Sequence, residues 1–394
     1  MKNIKKYIYL TIALPIYYLS YLSPRNKKIW IFGSCDGNHI ADNPYYFFKH
    51  CTSLSDDIKK FYITKNKKHI NEQIPEYIYY LSLKGIYYSL RAKYFFFSHS
   101  IQDTNYFLTG GAKIIQLWHG IPLKKIGDDT GARTPSIRDS IIRSIKKLAF
   151  LVLSPFRYNR CNYLLNPSRI TADIFSSAFR SSAPELIDGL QPRLDALHYR
   201  PIRSANETLR ICWLPTHRKS SGTFKNSTSS FLTGKDFESL INYLEKNRDI
   251  LYIKPHPIDV DDIASSIPKS DSIIIVQEVD PYPLIDSCDI LITDYSSIYF
   301  DFLKTGRPII FTPFDLSDYI NNVSELYFDY QSITPGEKCQ NWEELILHID
   351  KLRNGNDNYQ ERRAQLDQKL HHDHENIGAS EKLYIEFKRR EKIL

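Results

Sequence analysis

Short runs of β-branched and aromatic residues recur along the chain, separated by stretches with helical spacing. In the first half they are Lys28–Ser34, Ile58–Thr64, Tyr77–Leu81, Tyr94–Ser98 and Lys113–Trp118. The second half adds Leu209–Leu214, Ile250–Lys254, Ser272–Val276, Asp289–Thr293 and Pro308–Phe311. Strands that are almost continuously apolar, alternating with helices, predict parallel sheets covered on both faces. The rhythm runs twice, with a polar break around Arg200–Glu207. The expected fold is α/β: two Rossmann-like doubly wound domains facing a cleft, with an amphipathic segment in front. The expected division is 1–24 for that segment, 25–203 and 204–370 for the two domains, and 371–394 for a carboxyl-terminal helix.

Individual helices are readable. In Asp236–Lys246, Phe237, Leu240, Ile241 and Leu244 share one face. Another helix is predicted over Ser297–Gly306, opened by a serine cap and closed by the glycine. The crowded polar stretch Lys219–Ser230 reads as a loop.

The first thirty residues follow a different pattern. Lys2, Lys5 and Lys6 precede the apolar run Tyr7–Leu22, and Arg25, Lys27 and Lys28 follow it. The run contains Pro15, has no small-x-small cleavage site after it, and falls short of the roughly 20 residues that cross a bilayer. Its five tyrosines between basic ends suit an anionic membrane surface, which would place the protein peripherally on the cytoplasmic face. A first helix docked on its own domain and a true spanning helix are the alternatives.

Composition narrows the class. The chain has 394 residues, 42% of them hydrophobic and 25% charged, which excludes wholesale disorder and fits two domains. Lys and Arg number 52 against 45 Asp and Glu, a mild excess suited to anionic phosphates or lipid but not to a nucleic-acid tail. The six cysteines form no CxxC pair and read as small buried residues in a reducing compartment.

In parallel α/β sheets, ligands bind beyond the carboxyl ends of the strands. Those ends deliver Trp118-His119-Gly120, Pro215-Thr216-His217-Arg218, Lys254-Pro-His256-Pro257 and Asp294-Tyr-Ser296-Ser297. The basic groups could hold a diphosphate, and a near-neutral histidine could take a proton from an attacking hydroxyl. Each also has a bland reading: a serine cap with Asp294 as turn former, or a structural histidine. There is no P-loop, no GxGxxG after a strand and no Asp-x-Asp placed for a metal–diphosphate complex, which disfavours ATP hydrolysis, dinucleotide redox chemistry and metal-dependent transfer. No cofactor or metal is expected. The cluster His371-His-Asp-His374 reads as a polar turn rather than a metal site.

At these residues the sequence resembles the CDP-glycerol glycerophosphotransferase family of teichoic-acid primases and polymerases. The resemblance rests on Gln116–Lys125, Leu214–Arg218, Lys254–Pro257 and Ile290–Phe302, with weaker echoes at Pro24–Ser34 with Asp42-Asn43, at Gly189–Asp195 and at Gly378–Ser380. It implies a two-Rossmann glycosyltransferase-B architecture with an acceptor domain and a CDP-donor domain. The implied reaction moves glycerol phosphate, or a related polyol phosphate, from CDP-glycerol or another CDP-polyol to an acceptor hydroxyl, releasing CMP. The implied acceptor is a lipid-linked glycan or oligosaccharide in teichoic-acid or capsule synthesis. Carried over, His119 is the catalytic base, Arg218 and His256 lie on the donor diphosphate with His256 assisting the leaving CMP, and Asp294, Ser296 and Ser297 form the phosphate-binding turn. Lys254 joins the donor groups by charge and position. Two departures stand out: Gln191 is inserted before Pro192-Arg193, and His217 replaces an aromatic residue. One rival reading is a glycosyltransferase of the same architecture using a nucleotide sugar; the other is a non-enzymatic membrane-associated scaffold or nucleic-acid binder, resting on basic segments such as Lys59–Lys68.

Overall fold

The computed structural model describes residues 9–72, 74–130, 161–180, 182–204, 206–218, 228–322, 325–371 and 378–390. Lys2, Lys5, Lys6, most of the polar loop and His372–His374 lie outside them. Two compact units form: residues 1–119, 127–195 and 372–394 make the first, and 120–126 with 196–371 make the second.

The first unit is built on seven strands: β1 (Asn26–Phe32), β2 (Lys59–Thr64), β3 (Tyr77–Tyr79), β4 (Ala92–Phe97), β5 (Lys113–Gln116), β6 (Tyr163–Asn166) and β7 (Glu185–Asp188). They pair in parallel in the order β3-β2-β1-β4-β5-β6-β7. The second unit has β8 (Arg210–Leu214), β9 (Ile250–Ile253), β10 (Ile273–Ile275), β11 (Ile290–Thr293), β12 (Ile309–Phe311) and β13 (Glu337–Lys338). These are also parallel, in the order β10-β9-β8-β11-β12-β13. In both, strand order reverses beside the first strand, the switch point at which open α/β sheets bind ligands. Strands β6, β7 and β13 are additions to the sequence reading.

Aromatic packing dominates the first core. Trp30 and Phe32 of β1 meet Phe47 and Phe96, and Leu383, Tyr384 and Phe387 of the last helix, Ala379–Arg390, close over them. The last helix is thus part of the first unit. Asp195 fixes its start, accepting from the backbone N–H of Ala379 at 2.7 Å and of Ser380 at 2.9 Å. Two of the weaker sequence echoes therefore meet in one cap. A Cβ on Gly378 would lie 3.2 Å from the Asp195 carboxylate, so the cap also needs a small residue there.

In the second unit the helix Lys235–Asn247 buries Phe237, Leu240, Ile241 and Leu244, the four residues whose spacing predicts that face. The chain enters this unit at Ala196, ahead of the expected 203/204 boundary. The reason is electrostatic: Arg200 and Arg203 both pair with the buried carboxylate of Asp289, which starts the turn into β11.

The amino-terminal helix Leu14–Ser20 docks on its own unit. The Ser20 hydroxyl accepts from Gly110 N at 2.8 Å, and the Arg25 guanidinium donates to the carbonyls of Ser89, Leu108 and Gly110. That commits Arg25 to the protein rather than to a lipid headgroup. Ile12, Leu19 and Leu22 remain exposed, Leu22 at 80%. Among the described residues no helix is long and apolar enough to cross a membrane.

Candidate active site

His119 follows β5 in a backbone turn that few residues would adopt. Trp118 has φ +57° and Gly120 has φ +130°. A bulky residue in the left-handed region costs about 1–3 kcal/mol, so neighbouring groups must hold it there. Asn43 is the clamp: its amide nitrogen donates to Leu117 O at 3.1 Å and to Trp118 O at 2.9 Å. Its oxygen accepts from Arg193 N at 3.1 Å. The buried Asp42, beside it, pairs with the Arg193 guanidinium at 2.8 Å. Asp42-Asn43 and Pro192-Arg193, faint in the sequence, are the scaffold of the histidine turn.

The imidazole of His119 is enclosed by aromatic rings. Trp118 lies 4.4 Å from it, itself packed against Phe175 and Phe179. His99, from the loop after β4, stacks on its other face at 4.4 Å. His119 Nδ1 sits 3.3 Å from Ser98 O. A carbonyl can only accept, so Nδ1 carries the proton and the lone pair is on Nε2. Burial, and secondarily the His99 ring, push the His119 pKa down to about 4. The group is therefore a neutral base at physiological pH. For Asp42, burial would raise the pKa, but the Arg193 guanidinium beside it leads the influences that outweigh burial and hold the carboxyl below its usual range.

In the second unit the ends of β8 and β11 are joined by one buried ion cluster. Arg218 donates from Nε to Asp315 at 2.7 Å, from one terminal nitrogen to Asp315 at 3.0 Å, and from the other to Thr216 O at 2.8 Å. It also pairs with Asp294 at 2.8 Å. Asp294 accepts in addition from Thr216 N at 2.9 Å and Tyr295 N at 2.6 Å. Arg218 is only 5% exposed and Asp294 1%. Both residues are thus tied into the wall that shapes the strand ends. The physical reason is charge: two buried carboxylates demand one fully hydrogen-bonded guanidinium. Burial works against the Arg218 charge, and Asp294 and Asp315 more than restore it.

His256 and His217 lie together with rings 5.0 Å apart. The Nδ1 of His217 is held by Asp259 at 2.9 Å. His256 is exposed, and its Nδ1 accepts from Ile258 N at 3.3 Å. The proton of its neutral form is therefore on Nε2, the opposite tautomer to His119. Burial first, then His217, lower its pKa from the usual value. Lys254 reaches from the end of β9 to the Glu278 carbonyl. Ser296 and Ser297 are half-buried at the start of a helix of only five residues, Ile298–Phe302. Ser297 makes no side-chain cap; the Ser296 hydroxyl accepts from Ile298 N at 3.4 Å instead. A short helical tail, Leu303–Thr305, ends at Gly306 with φ +69°.

Lys124 is a residue the strand-end inspection missed, because it follows a loop rather than a strand. The segment 120–126 joins the second unit as an extended strip, with Lys124 bridging Leu326 and Leu123 O accepting from Tyr327 N at 2.9 Å. Its ammonium lies 5.2 Å over the Tyr319 ring. Burial lowers its pKa, opposed by Asp294. His371 is buried and its Nδ1 pairs with Asp367 at 2.8 Å.

These groups sit in segments that other proteins share. The chain is 28% identical over 364 residues to a teichoic acid poly(glycerol phosphate) polymerase of Bacillus spizizenii, covering 84% of this chain and 86% of that one. It is 28% identical over 371 residues to a teichoic acid glycerol-phosphate transferase of Staphylococcus aureus, covering 88% and 89%. The solved wall teichoic acid polymerase TagF superposes with a TM-score of 0.72 at 20% identity, over 99% of this chain and 98% of that chain. A TagF structure soaked with CDPG gives 0.73 at the same identity. The fold of two parallel α/β sheets is therefore shared with TagF. The model of one family, described as CDP-glycerol:poly(glycerophosphate) glycerophosphotransferase, matches residues 16–386 and so takes in every residue of this candidate site. By that match, this chain belongs to the CDP-glycerol:poly(glycerophosphate) glycerophosphotransferase family.

Proposed function

We propose that the protein transfers glycerol phosphate from CDP-glycerol to an acceptor hydroxyl of a lipid-linked glycan or oligosaccharide, releasing CMP, in the synthesis of a teichoic-acid-like polymer. The observation that carries this reading is the neutral His119, with its lone pair fixed on Nε2 by the Ser98 carbonyl. The acceptor oxygen attacks the β-phosphorus of the donor, and its proton passes to His119 Nε2. The bond from that phosphorus to the bridging oxygen breaks, and CMP departs with the electron pair. Such help from a general base is worth roughly 100- to 10,000-fold. The rest of phosphoryl transfer is positioning and charge stabilisation. His256 supplies an N–H donor from Nε2 to the departing phosphate. Lys254, Lys124 and the hydroxyls of Ser296 and Ser297 meet the diphosphate. Arg218 and Asp294 position the loops that carry these groups.

The same reading puts the protein on the cytoplasmic face of the membrane, attached peripherally. The exposed Ile12, Leu19 and Leu22 support it. Flotation with anionic vesicles that survives the change of Leu19 and Leu22 to Glu would contradict it. The donor is tested by CMP release from CDP-glycerol and CDP-ribitol against turnover of UDP-sugars, with a panel of lipid-linked acceptors. Release from a CDP-polyol is expected. Turnover of a UDP-sugar alone would overturn the chemistry.

A further inference from the structure

A concavity lies in the first unit beside the amino ends of β4, β5 and β6. It is a cavity of about 500 Å³ lined by Lys93 from the start of β4, Lys113 from the start of β5 and Asn162 just before β6, with Tyr17 and Tyr21 from the amino-terminal segment. These are the amino ends of strands whose carboxyl ends lead to His99 and His119. A strand of four residues such as β5 puts roughly 13 Å between the two ends. The two lysines are therefore set apart from the catalytic turn; Ile101, in the loop after β4 that also carries His99, lines the cavity too, but none of the groups assigned to the transfer reaction does.

Its chemistry is one-sided. The lining includes two lysines and no carboxylate. Lys113 lies 5.4 Å over the Tyr163 ring, and the Tyr17 and Tyr21 hydroxyls bond to each other at 3.0 Å. Asn162 uses its side-chain oxygen to accept from Ile114 N at 2.8 Å, which orients its NH₂ as a donor. Arg25, nearby, is spent on backbone carbonyls and does not contribute its charge to a ligand. Two ammonium groups, that of Lys93 also donating to Gly111 O at 3.4 Å, and an amide donor with no acid among them form an anion site. The volume is in the range of small-molecule pockets and larger than an inorganic ion requires. Leu22, next to Tyr21 at the cavity, is 80% exposed.

We propose that this cavity binds an organophosphate, its phosphate on Lys93 and Lys113 and its organic part against Tyr17 and Tyr21. The phosphate belongs either to a small soluble ester or to a lipid headgroup whose chains would lie along Leu19 and Leu22. Binding here is independent of the transfer reaction and of the donor site.

The test is NMR of the full-length protein with its lysines carrying ¹³C-methyl groups, the Lys93 and Lys113 signals being assigned by their loss in Lys93→Arg and Lys113→Arg. The protein is titrated with sn-glycerol 3-phosphate, with dihexanoyl phosphatidic acid below its micelle concentration, and with dihexanoyl phosphatidylcholine. Saturable shifts of both signals are expected with one or both of the first two probes. Saturation by glycerol phosphate identifies a soluble ester, and saturation by phosphatidic acid alone identifies a headgroup. In Lys93→Gln, followed through the Lys113 signal, binding should weaken about tenfold while CMP release is unchanged. Shifts that stay linear with every probe, or that match those of the remaining lysines, would overturn the proposal. So would equal affinity in Lys93→Gln.

Discussion

The rings of His119 and His99 lie face to face, centroids 4.4 Å apart and planes 9° from parallel. A second imidazole at that distance resists protonation of the first. With burial, it sets the pKa of His119 at about 4, down from 6.5. On the reading proposed above, the base is thus unprotonated throughout the physiological range and His99 acts on it as a positioning residue.

The pH dependence follows. A base that must be neutral loses activity only below its own pKa, so the acid limb of kcat/KM should fall well under pH 6.5 and centre near 4. Replacing His99 with Gln removes the second-largest depressing influence, after burial and ahead of Arg193, and should move that limb upward. An acid limb centred at the ordinary histidine value in the wild type would contradict the assignment. Stability has the same sign. Between pH 6.5 and about 4 the unfolded chain takes up the proton that native His119 refuses, so its contribution is lost as pH falls through that window.

Arg218→Ala should act on folding more than on donor affinity. It strands the buried carboxylates of Asp294 and Asp315, a loss of about 3–5 kcal/mol and a fall in Tm of roughly 10 °C. Lysine should not rescue it, because a point charge does not reproduce the fork that bridges both acids. A variant with unchanged Tm and only a raised donor KM would return Arg218 to the diphosphate.

Asp195→Ala should loosen the last helix. It removes the two bonds to Ala379 N and Ser380 N, at about 0.5–2 kcal/mol. Hydrogen exchange should quicken across Ala379–Arg390 while the second unit is unaffected. Unchanged protection in that helix would show that Leu383, Tyr384 and Phe387 hold it without the cap.

Lys124→Gln should raise the donor KM at least about tenfold with a smaller effect on kcat, as for loss of one charged contact to phosphate. An unchanged KM would confine Lys124 to its contact with Tyr319.

How much of this was legible depended on how local the signal is. The ten expected strands are visible because strands covered on both faces are apolar without interruption, and the helix Lys235–Asn247 because one of its faces is not. Strands β6, β7 and β13 are less distinct: Tyr163-Leu-Leu-Asn166 has two aliphatic residues, β7 has acids at both ends, and β13 has only two residues, both charged. The strand-end histidines His119 and His256 stood out by position. His99 did not, although Ser98-His99 also follows a strand. The roles of Arg218 and Asp294 needed the tertiary structure. A conspicuous arginine near a phosphate-like motif looks the same in sequence whether or not it is held by a carboxylate such as Asp315, 97 residues away. Asp195 and Gly378 are likewise joined only by the fold.

The central claim is that His119 is the base. Its most direct test is CMP release from CDP-glycerol by the full chain and by His119→Ala, with donor affinity measured on both by calorimetry. The account predicts a fall of roughly 100- to 10,000-fold in release with affinity unchanged. Near-normal release by His119→Ala would contradict it.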